Sequence, residues 1–277
     1  LGLAPTLVEG APTLVQVLRR DWFYFVPIAV LVWGVLKLDR PVFAGAIACL
    51  ALVPIGLVRN RSPRAFVASI VAGLNNGMGQ LVGVGIACAV AGLVVGTLSM
   101  ADLTGKISSG MFTLAGGSYA LTLLVATVVI ILLGMGMPTP AVYALSAVLA
   151  APALLALKIE LLPAHLFIVY FASMSAITPP VAVAAFAAAS IARANPIAVA
   201  FVACRVGIVA FVLPLVFVSQ PGLLLMGDAA TVVTTIGFVL MGAMCLVIAF
   251  EGWLFGLVAT PLRAALVVLA IVLLAAG

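Results

Sequence analysis

The chain has 277 residues, of which 66% are apolar and only 7% are charged, and its formal net charge is +5. A soluble domain carries roughly a quarter charged residues, so this chain has too little polar surface to remain in water. Its twelve cations are scattered among short loops, which excludes a nucleic-acid-binding face and is typical of loops that set membrane topology. The composition therefore predicts an all-α membrane protein whose polytopic helices lie in a lipid bilayer.

The first part of the chain alternates apolar spans with short charged loops. We predict an extramembrane connection over 1–20, followed by a transmembrane domain over 21–277. The first spans are predicted at 22–36 and 41–58, and the basic loop 59–64 is assigned to the cytoplasm by the positive-inside rule. Residues 65–99 exceed one ordinary span, so they predict either an interfacial helix followed by a span or one long bent helix.

The apolar stretch of about 108–157 is interrupted by a run of Gly and Pro from Gly134 to Pro140. Glycine lowers helix stability and proline removes a backbone donor, so the helix is expected to break here. If Lys106 and Lys158 lie on the same side of the membrane, the segment is a re-entrant hairpin. If they lie on opposite sides, it is two spans, and the charges leave both alternatives open.

A second break is predicted within 164–192, at Thr178-Pro179-Pro180. The remaining spans are predicted at 197–219, 229–250 and 262–276. The chain starts at Leu1 without a methionine and is still apolar at its last residue, which indicates a fragment of a longer protein.

Two breaks within one apolar region predict a polar site, because irregular backbone at membrane depth survives only beside protein or water. Unwound carbonyls and helix C-termini bind cations, whereas helix N-termini favour anions. Hydroxyl groups suited to a hard cation lie beside both breaks. They belong to Thr139, Ser173, Ser175 and Thr178. The alternative is a pair of proline kinks without a ligand.

The remaining polar residues give little support to an enzyme. No HExxH or GxSxG motif occurs, and all seven acidic residues lie at span ends or in loops. His165 is interpreted as an interfacial or helix-start hydrogen-bonding residue, and the alanine-rich run 181–192 as a close-packed helix face. Arg205 lies inside a predicted span, where it either snorkels to the interface or pairs with an anionic substrate or a helix C-terminus. The four cysteines are interpreted as small apolar residues.

The residues at the breaks resemble those of a known family. Gly134-Met-Gly-Met-Pro-Thr139, Ala164-His-Leu-Phe167 and Ile177-Thr-Pro-Pro-Val181 are similar to motifs in the large membrane subunit of tripartite ATP-independent periplasmic (TRAP) transporters. The first two resemble the TAXI branch, whose small and large membrane subunits are often fused. The similarity extends from about residue 20 to the C-terminus, so the chain looks like the C-terminal half of such a permease.

The resemblance implies a Na⁺-coupled importer of a small organic anion in the inner membrane of a bacterium or archaeon. Its partners would be a periplasmic substrate-binding protein and a small membrane subunit or fused N-terminal half. It would need no cofactor besides Na⁺ as coupling ion. The implied fold is of the elevator type, with one inverted repeat that contains a re-entrant hairpin at about 108–157 and a broken helix at about 164–192, followed by extra C-terminal spans at about 229–277.

On this basis we predict the residues of the site. The Na⁺ ligands are assigned to Gly134, Gly136, Ser175, Thr178 and Pro179. The substrate contacts are assigned to Thr139, Pro138, Ser173 and Arg205. Two features depart from the family: the first inverted repeat is missing, and a second proline, Pro140, follows the threonine at the tip. The alternative function is a membrane scaffold or assembly subunit that transports nothing, and a channel is disfavoured because no continuous polar stripe lines a span.

Overall fold

The computed structural model describes residues 14–38, 40–59, 62–254 and 256–276. Most of the predicted connection 1–20 and the centre of the basic loop 59–64 lie outside these residues. The helices are α1 (Leu14–Asp21), α2 (Phe25–Leu38), α3 (Pro41–Arg59), α4 (Pro63–Met100), α5 (Leu103–Leu114), α6 (Tyr119–Leu133), α7 (Thr139–Ala156), α8 (Leu161–Met174), α9 (Val183–Ala192), α10 (Pro196–Val206), α11 (Ile208–Ser219), α12 (Ala229–Glu251) and α13 (Thr260–Ala276). Short 3₁₀ turns occupy Trp22–Tyr24 and Pro221–Leu224. The prediction of an all-α protein is confirmed.

The chain divides into two units, Leu1–Gln80 and Leu81–Gly277. In the first unit, α2 packs against α3, as expected for two apolar helices joined by a short turn. Helix α4 begins in this unit and is one continuous helix of 38 residues, about 57 Å long at 1.5 Å per residue. Of the two alternatives for 65–99, the structure therefore contains the single long helix.

The second unit has its core among α5, α6, α7, α8 and α11. Phe167 and Phe171 are its largest fully buried side chains, and their rings stack edge to face with centroids 4.8 Å apart. The hydroxyl of Ser108 donates to the carbonyl of Leu149 over 2.5 Å and joins α5 to α7. This packing supports α6, α7 and α8, the helices that carry the predicted breaks.

Two predicted helices are divided further than the sequence indicated. The stretch before Gly134 is not one helix, because Gly116 and Gly117 adopt φ angles of 57° and 72° and separate α5 from α6. Only glycine adopts such angles routinely, so two in succession end a helix. The predicted span 197–219 likewise contains two helices, because it divides at Gly207 into α10 and α11.

Three helices of the described residues are long and apolar enough to cross a membrane alone: α4, α7 and α12. Helices α9 and α10 together also reach that length, but they are bent by 117° at their junction. Several shorter apolar helices, including α6, α8, α11 and α13, accompany them. Helix length and composition therefore agree with a polytopic membrane protein.

At the C-terminal end, α12 and α13 pack along each other. The guanidinium of Arg263 closes the end of α12 by donating to the carbonyls of Ala249 and Phe250 at 2.6 and 3.2 Å. The amide of Gln220 donates to the carbonyl of Leu274 over 2.7 Å. These bonds satisfy backbone carbonyls that a helix C-terminus leaves without partners.

Candidate ion and substrate site

The first break connects α6 to α7 in five residues. Helix α6 ends at Leu133, and Gly134 follows it with φ −77°, an ordinary helical value. Gly136 adopts φ +77°, a left-handed conformation that reverses the chain. Pro138 then occupies the N-cap position of α7, and Pro140 lies in its first turn, where a missing backbone N–H costs nothing. The predicted break is confirmed.

The second break includes more residues than the predicted Thr178–Pro180. Helix α8 ends at Met174, and the chain is not helical again until Val183. Pro179 and Pro180 remove two successive backbone donors, so a helix cannot continue through them. Ala182 closes the break in a left-handed conformation with φ 33° and is fully buried. The broken helix predicted over 164–192 is therefore confirmed as α8, the break and α9.

The two breaks touch each other. The Ser175 hydroxyl, which is buried, lies 3.1 Å from the carbonyl oxygen of Gly134 and 2.7 Å from that of Ala172. A Cβ placed on Gly134 would lie 2.5 Å from the Cβ of Ser175, closer than real Cβ atoms approach another atom. Gly134 is thus required for close approach to Ser175, because its own backbone angles suit any residue.

A cavity of about 390 Å³ opens where the breaks meet. Its lining comes from both segments and consists of Gly134, Gly136, Met137, Pro138, Thr139, Ala176, Val183, Ala184 and Ala187. Helices α7 and α9 both begin at this cavity, whereas α6 ends there. Helix N-termini carry partial positive charge and C-termini partial negative charge. The lining contains no charged side chain, so the helix ends determine its electrostatics.

The hydroxyl groups at the second break are oriented by the protein. Thr178 Oγ1 donates its proton to the carbonyl of Met174 over 2.8 Å, and Ser175 Oγ donates to a carbonyl as described above. A hydroxyl has one proton and two lone pairs. Because each proton is already used, both oxygens present lone pairs, which is the arrangement that a hard cation requires.

The structure brings most, but not all, of the predicted residues together. The cavity is lined by Gly134, Gly136, Pro138 and Thr139. The hydroxyl of Ser175 contacts the carbonyl oxygen of Gly134. Ser173 bonds instead to the carbonyl of Val169 in its own helix, over 2.9 Å. Thr178 and Pro179 belong to the same break as Ser175 without lining the cavity.

Arg205 also lies apart from the cavity lining. Its guanidinium forms an ion pair with Glu251, with an Nη2–Oε2 distance of 3.0 Å, and about half of the Arg205 side chain is exposed. Glu251 is the last residue of α12. The partner of Arg205 is thus a carboxylate side chain, which none of the predicted alternatives included.

Sequence reasoning missed the part of α9 that faces the site. The run 181–192 was interpreted only as a packing face, but Val183, Ala184 and Ala187 line the cavity, whereas Ala185 and Ala189 are buried in packing. The sequence signal was the position of the run directly after a double proline, where a new helix must begin.

His165 forms a hydrogen bond, as predicted, since its Nδ1 lies 3.0 Å from the hydroxyl of Tyr143.

A comparison with protein families identifies the chain. The family "Tripartite ATP-independent periplasmic transporter, DctM component" matches residues 3–231. The chain belongs to this family. It is therefore a multi-pass membrane permease component of a TRAP transporter, as the motifs at the two breaks predicted. No curated protein and no solved structure matches the chain.

The limits of the match differ from those expected from the motifs. The match begins before residue 20 and ends at 231, in the first turn of α12. It therefore contains both breaks and the whole cavity lining. Most of α12 and all of α13 lie beyond it.

Proposed function

We propose that this chain is the C-terminal half of a TAXI-type TRAP permease that imports a small carboxylate together with Na⁺. Its partners are a periplasmic substrate-binding protein and a small membrane subunit or fused N-terminal half, in the inner membrane of a bacterium or archaeon. The observation that supports this proposal best is the contact between Ser175 and Gly134, which joins two helix breaks beside one cavity.

The cation is assigned to the side of the site formed by Gly134, Ser175 and Thr178. The carbonyl of Gly134 follows the C-terminus of α6, where the helix dipole is negative. The hydroxyl oxygens of Ser175 and Thr178 have lone pairs available because both protons bond to carbonyls. Neutral oxygen ligands without a carboxylate suit a monovalent cation such as Na⁺, because a divalent ion is usually held by acidic side chains. Gly136 and Pro179 contribute backbone carbonyls in this proposal.

The anion is assigned to the side formed by Pro138 and Thr139. Thr139 is the first residue of α7, so its amide and hydroxyl lie at a positive helix end. Within the described residues its hydroxyl makes no hydrogen bond to protein, which leaves it available to a substrate carboxylate. Because α9 also begins at the cavity, two helix N-termini favour the same anion. A small carboxylate fits the volume and the mostly apolar lining.

Uptake by the intact transporter tests this proposal. The transporter is reconstituted in liposomes with its binding protein, and the substrate is chosen by thermal stabilisation of the binding protein with a panel of organic acids. An imposed Na⁺ gradient is expected to drive uptake, and a proton gradient alone is not. The variant Thr178→Ala should raise the Na⁺ concentration for half-maximal uptake by about tenfold or more, and Thr139→Ala should raise the substrate KM similarly.

The matched control is Thr234→Ala in α12. The Thr234 hydroxyl donates to the carbonyl four residues earlier, Ala230, over 2.8 Å, so this variant loses the same local bond as Thr178→Ala but far from either break in sequence. It should transport normally. If Thr178→Ala and Thr139→Ala behave like this control, with unchanged uptake and Na⁺ dependence, the site assignment is wrong, and a scaffold without a site of its own becomes the better description.

A further inference from the structure

Helix α10 presents a face of small residues to the second break. Ala200, Cys204 and Gly207 follow one another at helical spacing on this face. Ala200 is fully buried and packs with Ala182 and Ala185. A Cβ on Gly207 would lie 3.4 Å from the Cδ1 of Ile177. Both ends of the break, near Ile177 and near Ala182, therefore rest on α10.

Cys204 makes the polar contact of this face. Its thiol donates to the carbonyl of Ile177 at an Sγ–O distance of 3.4 Å, across 27 residues of sequence. The thiol thus contacts the break at the residue directly before Thr178, a proposed Na⁺ ligand.

The bond to Ile177 determines the position of Thr178 through covalent geometry. The carbonyl of Ile177 belongs to the planar peptide unit that ends at the Cα of Thr178. Holding that carbonyl therefore restricts the orientation of the peptide plane from which the Thr178 side chain starts. The hydroxyl of Thr178 is oriented in turn by its bond to the carbonyl of Met174. The two bonds together restrict the position of the Thr178 oxygen.

The other cysteines of the chain do not have such a role. Cys49, Cys88 and Cys245 make no hydrogen bond within the described residues, and they lie in α3, α4 and α12. A thiol used only as a small apolar group behaves in that way. Cys204 differs because its donor is used, although a thiol is a weak donor.

We propose that Cys204 is a positioning residue for the Na⁺ site, which it orients by holding the Ile177–Thr178 peptide against α10. The inference rests on the proposed function. Loss of the bond should lower the affinity for Na⁺ while leaving the substrate KM at saturating Na⁺ unchanged, because Cys204 does not line the cavity. A weak hydrogen bond corresponds to about a two- to tenfold change in affinity.

The test compares Cys204→Ala, Cys204→Ser and the control Cys245→Ala in the intact transporter. The first variant removes the donor, the second keeps one, and the third removes a thiol of similar exposure that makes no bond. For each variant we would measure the Na⁺ concentration for half-maximal uptake, the substrate KM and the amount of folded transporter in the membrane. Only Cys204→Ala is expected to raise the Na⁺ requirement, about two- to tenfold.

A second measurement needs no substitution. If a cation bound at Thr178 stabilises the packing of the break against α10, Na⁺ should slow the alkylation of Cys204 by a small maleimide. Mass spectrometry would follow the reaction, and Cys245 in the same sample should react equally in Na⁺ and choline. Equal protection of both cysteines, or of neither, contradicts the inference.

The outcomes separate this inference from the proposed function. If Thr178→Ala changes the Na⁺ dependence but Cys204→Ala behaves like Cys245→Ala, the ion site stands and the role of Cys204 is wrong. If Cys204→Ser resembles Cys204→Ala, or if both lower uptake without changing the Na⁺ requirement, the thiol has only a packing role. If neither Thr178→Ala nor a Na⁺ gradient affects uptake, the proposed function itself fails.

Discussion

The substitution Gly134→Ala tests the contact between the two breaks most directly. Gly134 has helical backbone angles, so alanine introduces no local strain there. Its added methyl group would lie 2.5 Å from the Cβ of Ser175 and 3.2 Å from the Cγ1 of Val142. The Cβ of Ser175 is attached to the backbone and cannot rotate away. The methyl group must therefore push the second break away from the first.

The size of the effect follows from that distance. Carbon atoms in contact lie about 3.5–4.0 Å apart, so the two segments must separate by about 1 Å. Overpacking of a buried site costs about 1–3 kcal/mol of stability. The separation also stretches the 3.1 Å contact between Ser175 and the carbonyl of Gly134. We expect a lower thermal unfolding temperature and a Na⁺ requirement for uptake raised by about tenfold or more.

The assay combines thermal unfolding in detergent with uptake in liposomes. Gly110→Ala in α5 is the control, because a Cβ there meets no atom within 4 Å, and it should be neutral or slightly stabilising. The double variant Gly134→Ala, Ser175→Gly removes the clash with Ser175 and leaves only the 3.2 Å contact with Val142. It should therefore recover most of the stability but not the Na⁺ affinity that the Ser175 hydroxyl provides. Normal stability and normal Na⁺ dependence in Gly134→Ala would refute the packing of the two breaks.

Three further substitutions have definite expected outcomes. Gly136→Ala should lower stability by about 1–2 kcal/mol in thermal unfolding, because φ +77° is unfavourable for a residue with a Cβ. Arg205→Gln and Glu251→Gln should change uptake to the same small extent, since the half-exposed pair contributes little; a rise in substrate KM for Arg205→Gln alone would instead identify a substrate contact. The hydrogen bonds of Thr231 lower the pKa of the Asp228 carboxyl at the start of α12. The ionised carboxylate therefore stabilises the folded protein at pH values above its unfolded-state pKa of about 3.9. This stabilisation is lost as the pH falls through the lower pKa of the folded state. Asp228→Asn should remove that part of the acid dependence in pH-dependent unfolding.

Much of the fold follows from residues whose physical effect is local. Pro138 and Pro140, and Pro179 and Pro180, remove backbone donors within apolar stretches, so the sequence itself indicates both breaks. Apolar length predicts α2, α3, α12 and α13 to within a few residues. The breaks at Gly116–Gly117 and at Gly207 were not predictable in this way, because a glycine inside an apolar helix is common in membranes and ends the helix only where packing requires it.

The site itself was predictable only in part. The types of group, carbonyls and hydroxyls at two breaks, follow from the chemistry of a cation. The partner of each group depends on tertiary contacts that sequence spacing does not determine. Ser175 meets Gly134 across 41 residues and Cys204 meets Ile177 across 27, whereas Ser173, only two residues from Ser175, bonds within its own helix. Neighbouring hydroxyls on one helix face different surroundings, so proximity to a break does not by itself identify a ligand.

The absence of charge in the cavity lining bears on how the proposed ion and substrate would act together. Two helix N-termini favour an anion, but their partial charges are smaller than one full positive charge. A cation beside Gly134 and Ser175 would add that charge next to the anion, in surroundings of low dielectric constant where the attraction is strong. Each ligand would then raise the affinity for the other by the same factor, as thermodynamic linkage requires. An arginine or lysine in the lining would bind the anion without Na⁺ and would abolish the dependence of substrate binding on Na⁺. Coupled binding of ion and substrate therefore favours an uncharged lining, which here consists of Gly, Ala, Val, Met, Pro and Thr.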